Sequence, residues 1–422
     1  MILNYSFKNF LSFRDNVEFS MLAPKTKVKN RFPNNYHSMD SGVDVLKTAI
    51  IVGENAGGKS NFVRSLTYLQ SFFNGTDKVK AYKNVINSTN NYDFCPKKNN
   101  TLQEFDIEVL INPIGIYRYK LLIDYVGVKE EQLLFKLFWK DRYKSVFTVA
   151  RDESSIICDE KNDCTISKKC NTTINATYSI EVPSINNEIE DYLEKAINNN
   201  EPLGLTITKL AVLGNKHATN FSNWIKKSLC PEINTINYDI LKSIQSEEDD
   251  LRILHDKRYL DIFKMVDPSI VDFVIDEEKP FTDTVIVRKR NDNTTFSREL
   301  KQDSSGVREF FAWAVQIFKV VYENKTIFAD EMDRVLNPVL SNKVLSYVCG
   351  KKHLGQFVFT THNALHLDLK NHMKEQIYFI TKDRETLESE LYSLSDFPEI
   401  RYETTKIYEF YMKGILGGTT SE

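Results

Sequence analysis

No run of apolar residues in this chain approaches the ~20 needed to cross a bilayer, so nothing in it reads as a membrane span. Glycine (15) and proline (11) are too scarce among 422 residues for a fibrous or linker-dominated protein. An excess of one charge is missing as well. Lys and Arg number 55 against 58 Asp and Glu, a formal net charge of −3. Attraction to nucleic acid or an anionic membrane would therefore need a local patch. Six cysteines are too few for a disulfide scaffold in a chain this long. Cys158, Cys164 and Cys170 are evenly spaced, but no CxxC pair or nearby His accompanies them, which argues against a zinc knuckle. They are expected to be reduced, small hydrophobes. The opening MILNYSFKNFLSF alternates like a strand and lacks the basic start and apolar centre of a signal peptide. A cytoplasmic location is expected. With 41% hydrophobic and 27% charged residues, the composition suits a globular protein of two or three structural units.

Periodicity sketches the organisation. Tyr5, Phe7 and then Val17, Phe19 and Met21 recur at period two, predicting a strand pair over residues 1–22. VLKTAIIVG reads as a buried parallel strand, and Phe62, Leu66, Leu69 and Phe73 follow at helical spacing. An Asn- and Lys-rich stretch from Asn74 to Asn100 reads as loop. EFDIEVLI, YRYKLLIDYV and KSVFTVA alternate like an antiparallel sheet, with turn signals at Asn112-Pro113 and Asp141. Residues 187–265 read as mainly helical. TIFAD, QFVFTT and QIYFIT then supply short apolar strands separated by helical stretches. The fold class is α/β, a core sheet with insertions.

The first chemical motif is GENAGGKS, Gly53 to Ser60, which fits G-x-x-x-x-G-K-[ST] between a predicted strand and a predicted helix. Backbone around Gly53, Asn55, Ala56, Gly57 and Gly58 can wrap phosphates at a helix start, where the dipole favours an anion. Lys59 would reach the β- and γ-phosphates of ATP, and Ser60 would ligate Mg2+. TIFADE ends an apolar strand in two carboxylates. Asp330 would lie toward the metal and Glu331 would polarise water. Alone, such a pair is more often a strand cap. QFVFTTHN ends another strand at His362, either a structural histidine or a sensor of the terminal phosphate. QDSSGVREFF opens an amphipathic helix, with Val307, Phe310, Phe311, Ala314, Phe318 and Val321 as its apolar stripe. Its plain reading is an N-cap. The basic loop Lys25 to Arg31 is a nucleic-acid contact or, more commonly, a solvated face.

P-loop, DSSG at a helix start, an apolar strand ending in DE, Asp333 in DEMDRVLNP and a strand-borne His resemble, in that order, the ABC-type ATPase head of SMC and RecF proteins. A finer resemblance is to the AbiL/RloA-like group of prokaryotic phage-defence ATPases, which includes the ATPase of the PARIS system. MILNYSFKNFLSFRDNVEFSMLA, the loop GENAGGKSN with Asn55 and Asn61, and YMKGILGG carry it. This resemblance implies an ATPase lobe with P-loop and antiparallel β subdomain over 1–150, an insertion over 151–285, mainly helical after 187, and a C-terminal lobe over 286–422. It also implies that Ser304, Ser305 and Gly306 form a signature tip that closes on the nucleotide of another subunit, with Asp333 as the D-loop aspartate. Ser305 stands where the family has a glycine, and Val307 where it has a polar residue. A Q-loop glutamine is sought between Phe94 and Gln103, and an adenine contact in Asn9 to Arg14.

The implied activity is ATP hydrolysis with Mg2+, driving a homodimer or higher oligomer through shared sites. Glu331, His362 and Lys59 would be the catalytic residues. The implied role is a sensor in anti-phage abortive infection that controls a separate nuclease or toxin, with DNA or a phage protein as a possible ligand and no membrane. The alternative is a RecF-like repair ATPase that clamps DNA. A transporter ATPase is disfavoured by the size of the middle insertion.

Overall fold

A computed structural model describes residues 1–74, 102–124, 127–152, 177–183, 193, 195, 204–234, 248–332, 336–402 and 407–416. The stretch 75–100, Cys158, Cys164, Cys170 and Asp333 lie outside the described residues. The chain forms two compact units, each assembled from distant segments: Met1–Ile2, Phe19–Thr67 and Lys227–Glu422 in one, Leu3–Glu18 and Tyr68–Lys226 in the other. The boundaries expected after residues 150 and 285 fall inside these units, because strand pairing rather than chain order assembles them.

Strands and helices are numbered along the chain. The first unit is built on a six-stranded sheet of β5 (Thr48–Gly53), β11 (Leu229–Asn234), β15 (Thr326–Asp330), β16 (Gln356–Thr361), β17 (Ile377–Lys382) and β18 (Ser389–Ser393), in the order β11-β15-β16-β5-β17-β18. The first five are parallel, and β18 returns antiparallel at the edge. Every residue of β5, β15 and β16 is buried. That is why the centres of these strands read as apolar runs without alternation: a parallel sheet is covered on both faces. A hairpin of β3 (Tyr36–Ser38) and β4 (Asp44–Leu46) and a small antiparallel sheet of β12 (Ile270–Val274), β13 (Val285–Lys289) and β14 (Thr295–Glu299) complete the strands here. Helix α1 (Lys59–Ser71) leaves β5, and α4 (Glu248–Leu254), α5 (Lys257–Phe263), α6 (Ser305–Glu323), α7 (Pro338–Gly350) and α8 (Ile407–Met412) follow.

Buried polar side chains tie the segments of this unit together. Gln356 at the start of β16 donates to Ile2 O (2.9 Å) and Leu46 O (3.2 Å) and accepts from Ile2 N–H (2.6 Å). The Lys47 ammonium donates to Cys349 O (2.7 Å) and Lys351 O (3.0 Å), satisfying carbonyls at the end of α7. Helix α6 is buried over far more than the expected stripe, from Phe310 through Phe318 without interruption. Its Phe311 meets the rings of Tyr259 (5.5 Å), Phe263 (5.1 Å), Phe273 (6.0 Å) and Phe281 (5.5 Å).

The second unit holds a seven-stranded sheet ordered β10-β9-β8-β7-β6-β1-β2. These are β1 (Ile2–Lys8), β2 (Val17–Ser20), β6 (Gln103–Ile111), β7 (Gly115–Ile123), β8 (Val128–Lys136), β9 (Lys144–Arg151) and β10 (Tyr178–Glu181). From β6 to β10, successive strands are antiparallel neighbours. Helices α2 (Thr206–Val212) and α3 (Lys216–Lys227) follow, and Phe221 packs its ring on Tyr119 (5.2 Å) and Phe73 (6.0 Å). The region expected to be mainly helical thus also contains β11, which joins the edge of the first unit's sheet.

Candidate functional site

The end of β5 is shaped by close backbone contact. A Cβ at Gly53 would stand 2.5 Å from the Ile380 carbonyl oxygen on β17, so only glycine fits. Gly57 is hemmed in by the Glu54 carbonyl, and its own carbonyl accepts the Ser389 hydroxyl at 2.7 Å. Between them Asn55 and Ala56 are exposed, and Ala56 (φ 62°) and Gly58 (φ 116°) take positive backbone angles. The ladder of α1 begins with Phe62 N–H on Gly58 O at 3.0 Å. Lys59, Ser60 and Asn61 therefore form its first turn, the end of the helix whose N–H groups point out along the axis. Strand, wrapped loop and helix start thus make a concave backbone suited to a polyphosphate.

Lys59 is buried. Its ammonium donates to Gly53 O (2.9 Å) and Glu54 O (2.7 Å), with His362 Nδ1 at 3.2 Å. His362 Nδ1 is also 3.0 Å from Gly53 O, and its Nε2 lies 3.0 Å from Glu331 Oε1. The Nε2–H tautomer satisfies both ends, accepting from Lys59 and donating to Glu331. Three residues over 270 positions apart at the extremes are thus one hydrogen-bonded row: Lys59, His362, Glu331.

The carboxylates at the end of β15 are held from β16. The Thr360 hydroxyl accepts the Glu331 N–H at 2.9 Å and donates to Asp330 Oδ1 at 2.6 Å. Asp330 is buried, whereas Glu331 is partly exposed and left-handed (φ 53°), a turn that sends its side chain toward His362. Thr360 and Ser389 were not singled out from the sequence. The available signal for Thr360 was a hydroxyl two residues before His362, directly after the apolar centre Phe357 to Phe359 of its strand. Among the described residues no three His, Cys, Asp or Glu side chains converge as a metal site. Mg2+ bound through substrate phosphates does not need such a cage, and one hydroxyl with one carboxylate fits that use. Ser60 at the helix start and Asp330 at the strand end are of those two types.

Ser304 is the N-cap of α6, its hydroxyl accepting the Val307 N–H at 3.4 Å. The plain cap is therefore present. Ser304 and Ser305 are also exposed, and a Cβ at Gly306 would meet nothing within 4 Å. Val307 turns into the core, which accounts for an apolar residue there. Behind the tip, Arg288 of β13 pairs with Asp303 (2.7 Å) and Asp267 (2.9 Å), while Asp303 Oδ1 accepts the Ser304 N–H at 3.0 Å. Gln103 lies buried in β6 of the other unit, donating to Asn9 O (3.0 Å) and accepting from Tyr68 (3.4 Å). Asn9 to Arg14 forms a tight loop closed by the mutual bonds of Phe10 and Phe13, at 2.8 and 3.0 Å. In the basic loop, Lys29 pairs with Asp44, which raises its pKa through that hydrogen bond.

Among solved structures, the chain is similar to SMC head domains. Residue identity is 11% to that of Thermotoga maritima (93% of this chain, 98% of the other, TM-score 0.43). It is 12% to a Smc head with an extended coiled coil from Pyrococcus furiosus, bound there to the C-terminal domain of ScpA (93% and 96%, TM-score 0.41). For a Smc head with coiled coil and joint from Pyrococcus yayanosii it is 11% (98% and 99%, TM-score 0.42). No curated protein matches the chain. Residues 49–368, which span the wrapped loop, the carboxylate pair and His362, match the family described as "AAA domain, putative AbiEii toxin, Type IV TA system", and the chain belongs to this family of P-loop ATPase domains.

Proposed function

We propose that the protein hydrolyses ATP at sites shared between two copies and that this cycle controls a separately encoded effector, a nuclease or toxin, in anti-phage defence in the cytoplasm. The observation that carries the chemical part is the Lys59–His362–Glu331 row at the mouth of the P-loop. Gly53 to Asn61 would hold the phosphates through backbone N–H groups, with Asn55, Ala56, Gly57 and Gly58 shaping the loop. Ser60 and Asp330 would hold Mg2+, which when bound neutralises phosphate charge. Lys59 moves from the Gly53 and Glu54 carbonyls to the nucleotide. Its departure removes one of the two neighbours of His362 Nδ1, the other being Gly53 O, while His362 Nε2 keeps Glu331 oriented as the base toward water. Ser304 and Ser305, exposed at a helix start, and Gly306 beside them suit a phosphate from another copy, with Asp333 as the D-loop aspartate that the family resemblance implies. The defence reading draws on the family's description and on the AbiL/RloA-like segments GENAGGKSN and YMKGILGG.

The test is complementation. Lys59→Ala and Ser304→Arg are each expected to abolish turnover alone. Mixed, every heterodimer retains one intact composite site, and hydrolysis returns to about a quarter of the wild-type rate if subunits exchange at random in a two-fold dimer. Confirmed mixing without recovered hydrolysis rules out the shared site. Glu331→Gln is expected to keep ATP binding while losing about a hundredfold or more in turnover.

A further inference from the structure

The β8–β9 hairpin ends in KLFWKDRYK, residues 136–144. Its base is satisfied internally. The Lys136 ammonium lies between the rings of Trp139 and Tyr143, 4.2 and 4.3 Å from their centroids, with Glu108 Oε1 at 3.5 Å. The Tyr143 hydroxyl donates to the same carboxylate oxygen, and Asn4 Nδ2 donates to the other at 2.5 Å. Asp141 closes the turn, accepting the Phe138 N–H at 2.9 Å and returning its own N–H to Phe138 O at 3.1 Å. The acids are therefore engaged, and the inward cation is neutralised. At the tip, Leu137 and Phe138 stand 49% exposed, and Lys140, Arg142 and Lys144 are exposed with no ion-pair partner among the described residues. In a chain of net charge −3 this turn sets three exposed cations against the single carboxylate of Asp141, a local excess of two positive charges beside one half-exposed aromatic residue.

We propose that this hairpin tip binds single-stranded nucleic acid, a base stacking on Phe138 while Lys140, Arg142 and Lys144 meet the neighbouring phosphates. Tyr143 points inward to Glu108, whereas Arg142 and Lys144 on either side of it are exposed. The combination decides the ligand class. Open π-faces between closely spaced anions belong to an unpaired strand, whereas a duplex keeps its base faces stacked. An acidic polypeptide supplies charge without a stacking surface. A bilayer would need more apolar area than two half-exposed residues, since Trp139 is held against Lys136. The proposal uses no ATP chemistry and stands or falls separately from the ATPase reading.

The experiment is fluorescence anisotropy of the full chain with a labelled oligothymidylate of about 15 nucleotides, within the span such sites cover. A duplex of equal length, polyglutamate and vesicles of anionic phospholipid are the competitors. Single strand is expected to bind best. Phe138→Ala is expected to weaken it about tenfold, as loss of one stacked base would. Phe138→Tyr keeps the affinity and guards against a folding defect. With three phosphates met, log affinity should fall with log salt at a slope of about −2, and the triple variant Lys140→Glu, Arg142→Glu, Lys144→Glu should flatten it. No binding, equal binding by wild type, Phe138→Ala and the triple variant, or preference for duplex, polyglutamate or vesicles overturns the proposal.

Discussion

Thr360 illustrates how much one hydroxyl can organise. It takes a hydrogen bond from the Glu331 backbone and gives one to Asp330, so both carboxylates are set by a neighbouring strand rather than by their own loop. Thr360→Val keeps the shape and removes both bonds. Turnover is expected to fall roughly tenfold, the scale of losing an outer partner of a functional carboxylate. Thr360→Ser should retain the rate, and steady-state ATPase assays of the two variants separate the cases. The sequence offered Gly53 to Ser60, the Asp330-Glu331 pair and His362 as candidates around Thr360, because motif spacing constrains them. Thr360 itself was not, since threonine is common in strands for its branched shape. Nor could the sequence reveal that Gly53 is required by the Ile380 carbonyl, a contact between positions more than 300 residues apart.

Among the elements, the start of α6 depends on Arg288, a buried guanidinium held between Asp303 and Asp267. Burial works against its charge, but the two carboxylates prevail and raise its pKa. Arg288→Gln leaves the nearly buried Asp303 without its cation, at a cost of about 3 kcal/mol. A lower urea midpoint and faster amide exchange at the start of α6 are the expected readings. An unchanged midpoint would mean that Asp303 finds solvent freely. Strands β1, β5, β15, β16 and β17 were legible from apolar runs or strict alternation. Strand β8 was not, because VKEEQLLFK places Glu131 at a core position. That carboxylate is satisfied by the N–H groups of Thr206 (2.6 Å) and Ile207 (3.0 Å) and by the Tyr119 hydroxyl (3.0 Å), partners no local pattern announces. In β11, Pro231 and a register shift between Cys230 and Ile233 disguise an edge strand.

For the molecule as a whole, neutral histidines held wholly or partly away from water set the response to acid. Burial lowers the pKa of His37 to about 3 and of His353 and His372 to about 4, with Lys47 adding to the effect at His37. Below pH ~6.5 an unfolded chain protonates these rings and the folded one does not. Their contribution to stability is therefore complete above that pH and lost as pH falls toward the folded values. Urea midpoints should decline from about pH 7 to about pH 5, within this histidine window; a flat profile would contradict the burial of these rings. The sheet order carries a different consequence, for the newly made chain. Strand β5, which bears the P-loop, pairs with β16 and β17, while β6 to β9 pair with their immediate successors. The meander can close as it leaves the ribosome, but the apolar TAIIV waits for some three hundred residues of synthesis before either neighbour exists. A nascent chain stopped short of Gln356 would contain the whole P-loop motif and no neighbouring strand on which to mount it.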